Sequence, residues 1–207
     1  ALIISVIDLN EKLGVSNKTI SENEAGATVG ILSIIDSSFS SDGITYELSG
    51  DDAQYFILDG NTIKLKSNVT TDFETKSRYT LVVTATNSAG ETVTEKVVVK
   101  IENVNEAPIL SSAILNQSID EDSPLNFAIP NGTFFDVDGN TLSYTASLSD
   151  GESLPGWMSF DGVSGTFSGT PRNDDVGVIG IKITASDGSF NANDSFNLTV
   201  NKKNHSH

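Results

Sequence analysis

Apolar residues fall on alternate positions through most of this chain. Tyr79, Leu81, Val83 and Ala85 share one face of a run whose other face carries Thr80, Thr84 and Thr86, and Val93, Val97, Val99 and Ile101 line a second run. The later half repeats the pattern in Ile179, Ile181, Ile183 and Ala185, and again in Phe196, Leu198 and Val200. A period of two marks half-buried β-strands, and helical periodicity is hard to find. Turn signals separate the runs: Asp42-Gly43, Asp59-Gly60, Asp138-Gly139-Asn140, Asp150-Gly151, Asp161-Gly162 and Asp187-Gly188. Short strands at this spacing predict an all-β chain of two sandwiches in series.

The chain also repeats itself. Ile20-Ser21-Glu22-Asn23 recurs as Ile119-Asp120-Glu121-Asp122, and Asn87 precedes one terminal strand as Asp187 precedes another. Two acidic connectors, Asp8-Leu9-Asn10-Glu11 and Asn103-Val104-Asn105-Glu106-Ala107-Pro108, each follow an alternating apolar run, Leu2/Ile4/Val6 and Val97/Val99/Ile101. These marks divide the chain into 1–11, the last strand and linker of a preceding repeat; 12–104, a first domain; 105–201, a second; and a tail, 202–207. Ala1 opens inside a predicted strand, as expected of a segment cut from something longer.

Composition narrows the chemistry. Asp and Glu number 28 against 12 Lys and Arg, a formal charge of −16. Such a chain cannot neutralise phosphates, which argues against nucleic acid and anionic membrane surfaces. Carboxylates in this number suit hard cations, although acidity also serves solubility. There is no cysteine, so disulfides and thiolate metal sites are excluded. No apolar run approaches a membrane span, so membrane association would come only through a parent protein.

On these residues the first domain resembles a cadherin repeat. It carries Glu22-Asn23, then Asp72-Phe73-Glu74 leading into the strand from Tyr79 to Asn87, and closes on the Asn103–Pro108 connector. The second resembles the dystroglycan-type cadherin-like repeat of many bacterial surface proteins. That likeness rests on Phe135-Asp136-Val137-Asp138-Gly139-Asn140, Leu154-Pro155-Gly156-Trp157-Met158-Ser159-Phe160, Ser164–Pro171 and Ala185-Ser186-Asp187-Gly188. The fold implied is cadherin-like, an immunoglobulin-like Greek-key β-sandwich in each domain.

The resemblance further implies calcium (Ca2+) at the domain junction. The ligands carried over are Glu22, Asp72 and Glu74 from the first domain, and Asn103, the Val104 carbonyl, Asn105 and Glu106 from the linker. Asp136, Asp138 and Asp187 come from the second domain. Alternation predicts that in an extended Asp72-Phe73-Glu74 both acids face one way and Phe73 the core, and likewise for Asp136-Val137-Asp138. Asp-Gly turns also use Asp for backbone reasons alone. Asn103 stands where the family has Asp, which predicts affinity at the weak, extracellular end, about 10⁻⁴–10⁻³ M. The outer junctions are poorer. Upstream, Asp8, Asn10 and Glu11 meet Asp36, Ser38 and Asn87 in place of three Asp. Downstream, Lys202 replaces the Asn103 position, no Asp-x-Glu matches 72–74, and Glu121 is left without obvious partners.

Competing motifs fail. Asp136-x-Asp138-x-Asn140 opens like an EF-hand loop, but Thr141 and Ser147 stand where Gly and Glu are required. Trp157 sits in a core-strand setting rather than on a sugar platform. The two histidines, His205 and His207, lie in the tail, so no Ser-His-Asp set exists in the body. The expected function is non-enzymatic: a calcium-binding, calcium-rigidified extracellular or cell-surface segment, adhesive or extending, of a large and bacterial protein. The alternative is a ligand-binding module for a surface polysaccharide or for another cadherin-like repeat.

Overall fold

The structure is a computed structural model that describes residues 12–203. The expected strand and linker of a preceding repeat, with Asp8, Asn10 and Glu11, lie outside the described residues, as do His205 and His207. The chain forms two compact units that meet between Val104 and Asn105.

The first unit contains β1 (Leu13–Val15), β2 (Thr19–Ser21), β3 (Thr28–Ile34), β4 (Thr45–Ser49), β5 (Phe56–Asp59), β6 (Thr62–Leu65), β7 (Arg78–Thr86) and β8 (Thr92–Glu102). They form two four-stranded sheets, β1-β3-β6-β5 and β2-β8-β7-β4. The inward faces supply Leu13, Val29, Leu32, Ile63 and Leu65 from one sheet. Ile20, Tyr79, Leu81, Val83, Ala85, Val93, Val97, Val99 and Ile101 come from the other. Along β6 and β7 these are the positions a period of two selects, whereas in β3 a bulge near Val29 breaks the alternation; a fully buried Val, Leu or Ile contributes about 1.5–3 kcal/mol.

The opening strand is split between the sheets. β1 pairs antiparallel with β3, and β2, a few residues on, pairs parallel with β8. Asn17 makes the crossing: its amide donates to the Thr19 carbonyl (2.7 Å) and its Oδ1 accepts from the Thr19 N–H (3.2 Å). The chain there lies so close over Gly30 that a Cβ would stand 2.5 Å from the Asn17 carbonyl oxygen. Only glycine admits that approach.

The second unit contains β9 (Ile109–Leu110), β10 (Gln117–Asp120), β11 (Leu125–Ala128), β12 (Phe134–Phe135), β13 (Ser143–Leu148), β14 (Met158–Asp161), β15 (Thr166–Gly169), β16 (Gly177–Ser186) and β17 (Asn191–Asn201). Its sheets are β10-β17-β16-β13, β11-β15-β14 and the short pair β9-β12. Phe167 is fully buried, with Phe160 at 4.5 Å and Phe196 at 6.0 Å between ring centroids. Trp157 packs against this core while Met158, the next residue, is the buried member of β14. Apart from the short 3-10 turns Ala53–Tyr55 and Asn173–Asp175, the all-β expectation holds among the described residues.

One charged group is built into the wall of the first unit. Asp52 accepts from the Lys76 ammonium (2.5 Å) and from the Thr80 N–H (2.7 Å), and Lys76 lies 4.7 Å over the Tyr79 ring. Burial raises the Asp52 pKa, but the two donors and the lysine charge outweigh it and hold the carboxyl below its ordinary value of 3.8. A depressed folded-state pKa contributes stability above the unfolded value and loses it as pH falls through the folded one. Urea midpoints of the first unit should therefore be level from neutral pH to about 4 and fall below it. Asp52→Asn should lower the neutral midpoint and flatten the acid limb; an acid limb of wild-type steepness would count against the pair.

Candidate metal centre

The parallel pairing of β2 with β8 determines where Glu22 goes. Ser21 is in register with Glu102, and Glu22, the next residue, donates its N–H to the Glu102 carbonyl (3.1 Å). The chain then turns at Asn23 with φ of 64°, a left-handed conformation that Asn tolerates better than most residues. The Asn23 N–H donates to the Thr71 carbonyl (3.0 Å), which brings the segment carrying Asp72 alongside.

The Glu22 side chain is 2% exposed. Its Oε2 accepts from the Phe73 N–H (2.7 Å) and its Oε1 from the Val104 N–H (2.8 Å). One carboxylate therefore holds both the acidic turn and the start of the linker. Asp72 caps that turn, accepting from the Thr75 N–H (2.8 Å) and hydroxyl (2.9 Å), and these donors, the backbone one foremost, lower its pKa. Glu74 accepts from the Asn103 amide (2.9 Å). Carboxylate oxygens of Glu22, Asp72 and Glu74 all lie within 4.8 Å of one another. Two ligands of one calcium ion can stand about 5 Å apart at most, so this group fits a single hard cation.

The acids converge by a route different from the one alternation predicts. Residues 73–75 form a turn, so the segment is not extended, although Phe73 does pack against the core. Val137 is 43% exposed and sits in a turn, so Asp136-Val137-Asp138 is not a strand with its middle residue inward. In both segments a tight turn does what an extended backbone was expected to do. The capping partner Thr75 was missed; the Asp-x-x-Thr spacing is the signal that would have found it.

The second unit gathers its own set. Asp136 is 5% exposed and its Oδ1 accepts from the Asn140 N–H (3.1 Å). Asp138 Oδ2 accepts from the Glu106 N–H (2.8 Å). The other oxygen of each, Asp136 Oδ2 and Asp138 Oδ1, is buried with no hydrogen-bond partner. A buried carboxylate oxygen without a donor is costly, and a cation is one way to satisfy it. Asn105 donates to Asp187 Oδ2 (2.9 Å) and accepts from the Asn140 amide (2.6 Å). Asp187 Oδ1 takes the N–H groups of Ser189 (2.5 Å) and Phe190 (2.6 Å). These donors, Phe190 first and the Asn105 amide second, lower its pKa. Asn140, read from the sequence as part of a turn and a family motif and not as a site residue, ties Asn105 to the Asp136 turn.

The first unit's other end differs. Asp36 accepts from the Ser38 hydroxyl (2.6 Å) and N–H (2.9 Å), while Asn87 donates to Glu91 (2.7 Å). Glu121, expected to lack partners, instead accepts from the Lys203 N–H (2.9 Å); sequence spacing hid a bond that closes only when β10 pairs with β17.

Residues 16–102 match the family described as "Cadherin domain", and residues 107–201 the one described as "Putative Ig domain". A cadherin domain and an Ig-like domain stand in tandem. Cadherin-1 of Gallus gallus is 30% identical over 200 residues, 88% of this chain and 22% of that protein. Cadherin-17 of Mus musculus is 26% identical over 196 residues, 81% of this chain and 23% of that protein. The chain thus spans under a quarter of the length of these curated relatives. Human protocadherin-24 EC1-2 is similar in fold, with a TM-score of 0.67 at 17% identity over 91% of this chain and 97% of that one. Mouse cadherin-23 EC22-24 gives 0.63 at 19% identity, over 92% and 64%. At these identities the likeness establishes the fold. Cadherin-family domains are adhesion modules, not enzymes, and cadherin repeats typically bind calcium. The relatives are animal cadherins, which are extracellular or cell-surface proteins. Among the described residues no helix is long and apolar enough to cross a membrane.

Glu22→Ala removes the acceptor of two backbone N–H groups. A hydrogen bond to a charged group contributes about 1.5–3 kcal/mol, so the substitution should cost roughly 3 kcal/mol or more in chelator, before any metal is considered. Glu22→Gln keeps two acceptor lone pairs on one oxygen only and should cost about half as much. Denaturant unfolding in EDTA measures both; a neutral Glu22→Ala would refute the bracing role.

Proposed function

We propose that this chain is a calcium-binding, calcium-rigidified pair of extracellular repeats, serving as an adhesive or extender segment of a larger surface or secreted protein. The ligands would be Glu22, Asp72, Glu74, Asn103 and the Val104 carbonyl from the first unit, and Asn105, Glu106, Asp136, Asp138 and Asp187 from the second. The observation that carries the reading is the convergence of Glu22, Asp72 and Glu74 oxygens within 4.8 Å. The buried, unpartnered oxygens of Asp136 and Asp138 support it independently. Oxygen donors without His or Cys suit calcium rather than a transition metal.

The linker supports a mechanical role. Val104 is bonded to Glu22 of its own unit, and Asn105, the next residue, to Asp187 of its own. Each end of the linker is therefore anchored within its own unit. A divalent ion, when bound, supplies charge neutralisation for acids that otherwise repel one another. The protein's part is to hold the turn at Asp72 with Thr75, the turn at Asp136 with Asn140, and the linker N–H groups on Glu22 and Asp138. Binding to the folded state alone would raise its stability by mass action.

Another cadherin-like repeat is the partner best supported, since the structures of similar fold include a protocadherin gammaB7 EC3-6 cis-dimer. A surface polysaccharide finds no support in the comparisons. The dystroglycan-type reading of the second unit, with a bacterial parent, rests on its own motifs, Phe135–Asn140, Leu154–Phe160 and Ala185–Gly188.

Calcium titration followed by small-angle scattering and thermal melting tests this reading. Half-saturation is expected at about 10⁻⁴–10⁻³ M, with a rise in melting temperature and a narrower distribution of maximum dimension. Asp136→Asn with Asp138→Asn should weaken calcium at least tenfold (about 1.4 kcal/mol). Identical scattering and melting in calcium and in chelator would end the proposal.

A further inference from the structure

The buried glutamate of the first unit has a structural double in the second. Glu121 is 1% exposed and follows β10, which pairs parallel with β17, with Asp120 in register with Asn201. Its N–H donates to the Asn201 carbonyl (2.9 Å), as that of Glu22 does to the Glu102 carbonyl (3.1 Å). The residue after each has positive φ, 58° at Asp122 and 64° at Asn23. The N–H of Asp122 reaches the Pro171 carbonyl (2.8 Å) as that of Asn23 reaches the Thr71 carbonyl (3.0 Å). Finally, each glutamate accepts from a backbone N–H 82 residues on, Lys203 (2.9 Å) and Val104 (2.8 Å).

These bonds align the two ends residue by residue. Arg172, after Pro171, takes the place of Asp72, after Thr71, and Asp174 takes that of Glu74. Lys202, before Lys203, takes that of Asn103, before Val104. The first unit thus brings Glu22, Asp72 and Glu74 together with no cation among the aligned positions. At the aligned positions the second has Glu121 and Asp174 with Arg172, Lys202 and Lys203, which turns three negative charges into one net positive. The turn itself differs: the Arg172 N–H donates to Asp175 (2.7 Å), where in the first unit Asp72 accepts from Thr75.

We infer that the C-terminal end of the second unit is a calcium-independent counterpart of the first unit's end: it keeps the buried glutamate brace and replaces the metal with the protein's own cations. The ligand types needed for a hard cation are absent at two of the aligned positions, and fixed positive charges stand there to repel one. Lysine and arginine at these places also suit a partner end rich in carboxylates. This inference rests on the calcium reading of the first unit, and its experiment separates the two.

Calorimetric calcium titration of the full chain is compared for wild type, Glu22→Gln, Glu121→Gln and the double variant Arg172→Asp/Lys202→Asn. Glu22→Gln should weaken calcium at least tenfold, while Glu121→Gln leaves stoichiometry unchanged and affinity within twofold. Glu121→Gln should lower the melting temperature equally in calcium and in EDTA. The double variant should gain at least one ion. Terbium luminescence excited through Trp157, which borders one shallow depression with Arg172 and Asp175, should appear in the double variant and not in wild type. Loss of bound calcium in Glu121→Gln, or no added ion in the folded double variant, would overturn the inference. If wild type binds no calcium, the proposed function fails while the double variant still decides this inference by gaining an ion or not.

Discussion

A carboxylate buried at the end of a sandwich, accepting backbone N–H groups, is the constraint on which the candidate centre depends. Glu22 receives two such bonds, from Phe73 and from Val104. Each comes from a segment that would otherwise be a surface loop with exposed amides. Because the acceptor is charged and out of water, these bonds are stronger than neutral ones and costly to leave unmade. Their effect is to fix the acidic turn and the outgoing strand in one place. Asp72, Glu74 and Asn103 then need only their own short bonds to arrive at the same spot. The brace exists because β2 lies parallel to β8, and that pairing exists because the first strand switches sheets over Gly30.

The acidity of the chain takes on a local meaning here. A charge of −16 spread evenly would be a solubility device. Part of it is instead concentrated at places where the fold also buries oxygen atoms, as with Asp136 and Asp138. Burial and like charge both oppose ionisation, and hydrogen bonds from backbone N–H groups oppose that in turn. The exposed Asp72 and the half-buried Asp187 show the last effect, their carboxyls held low by donors of the neighbouring turn and, for Asp187, by the Asn105 amide as well. An end built this way is poised to take a cation, because the protein has already ordered the groups that would bind it.

Much of this was legible in the residues. Alternating apolar runs marked β7, β8, β16 and β17 because each has one face in the core, and an eleven-residue strand such as β8 gives the pattern several repeats. The acidic residues of the centre were found because they recur in short, recognisable segments. What could not be read was how those segments turn. Asp72-Phe73-Glu74 and Asp136-Val137-Asp138 show a polar–apolar–polar pattern that suits a strand, yet three residues are too few to separate strand from turn. The Asp72 and Asp136 side chains, which accept the backbone N–H groups of Thr75 and Asn140, decide the matter. The partner of Glu121 was invisible for another reason: it is a backbone N–H, which every residue but proline possesses, so its identity comes only from strand register.

The pair Asn87 and Asp187 shows how little chemistry separates a cation seat from its imitation. Both follow a long strand and open a tight turn, and both use Oδ1 to accept two backbone N–H groups of that turn. The difference is the remaining atom. In Asn87 it is an amide nitrogen, which donates to Glu91. In Asp187 it is a carboxylate oxygen, which accepts from Asn105. A metal ion needs an acceptor, and an amide nitrogen turned outward offers a donor. The backbone of the turn is indifferent to the exchange, since Asn and Asp cap it equally well. The fold can therefore keep its shape at every repeat end while a single oxygen-to-nitrogen change decides whether that atom could ligate a cation. Charge at such ends is free to vary in a way that core residues, bound by packing, are not.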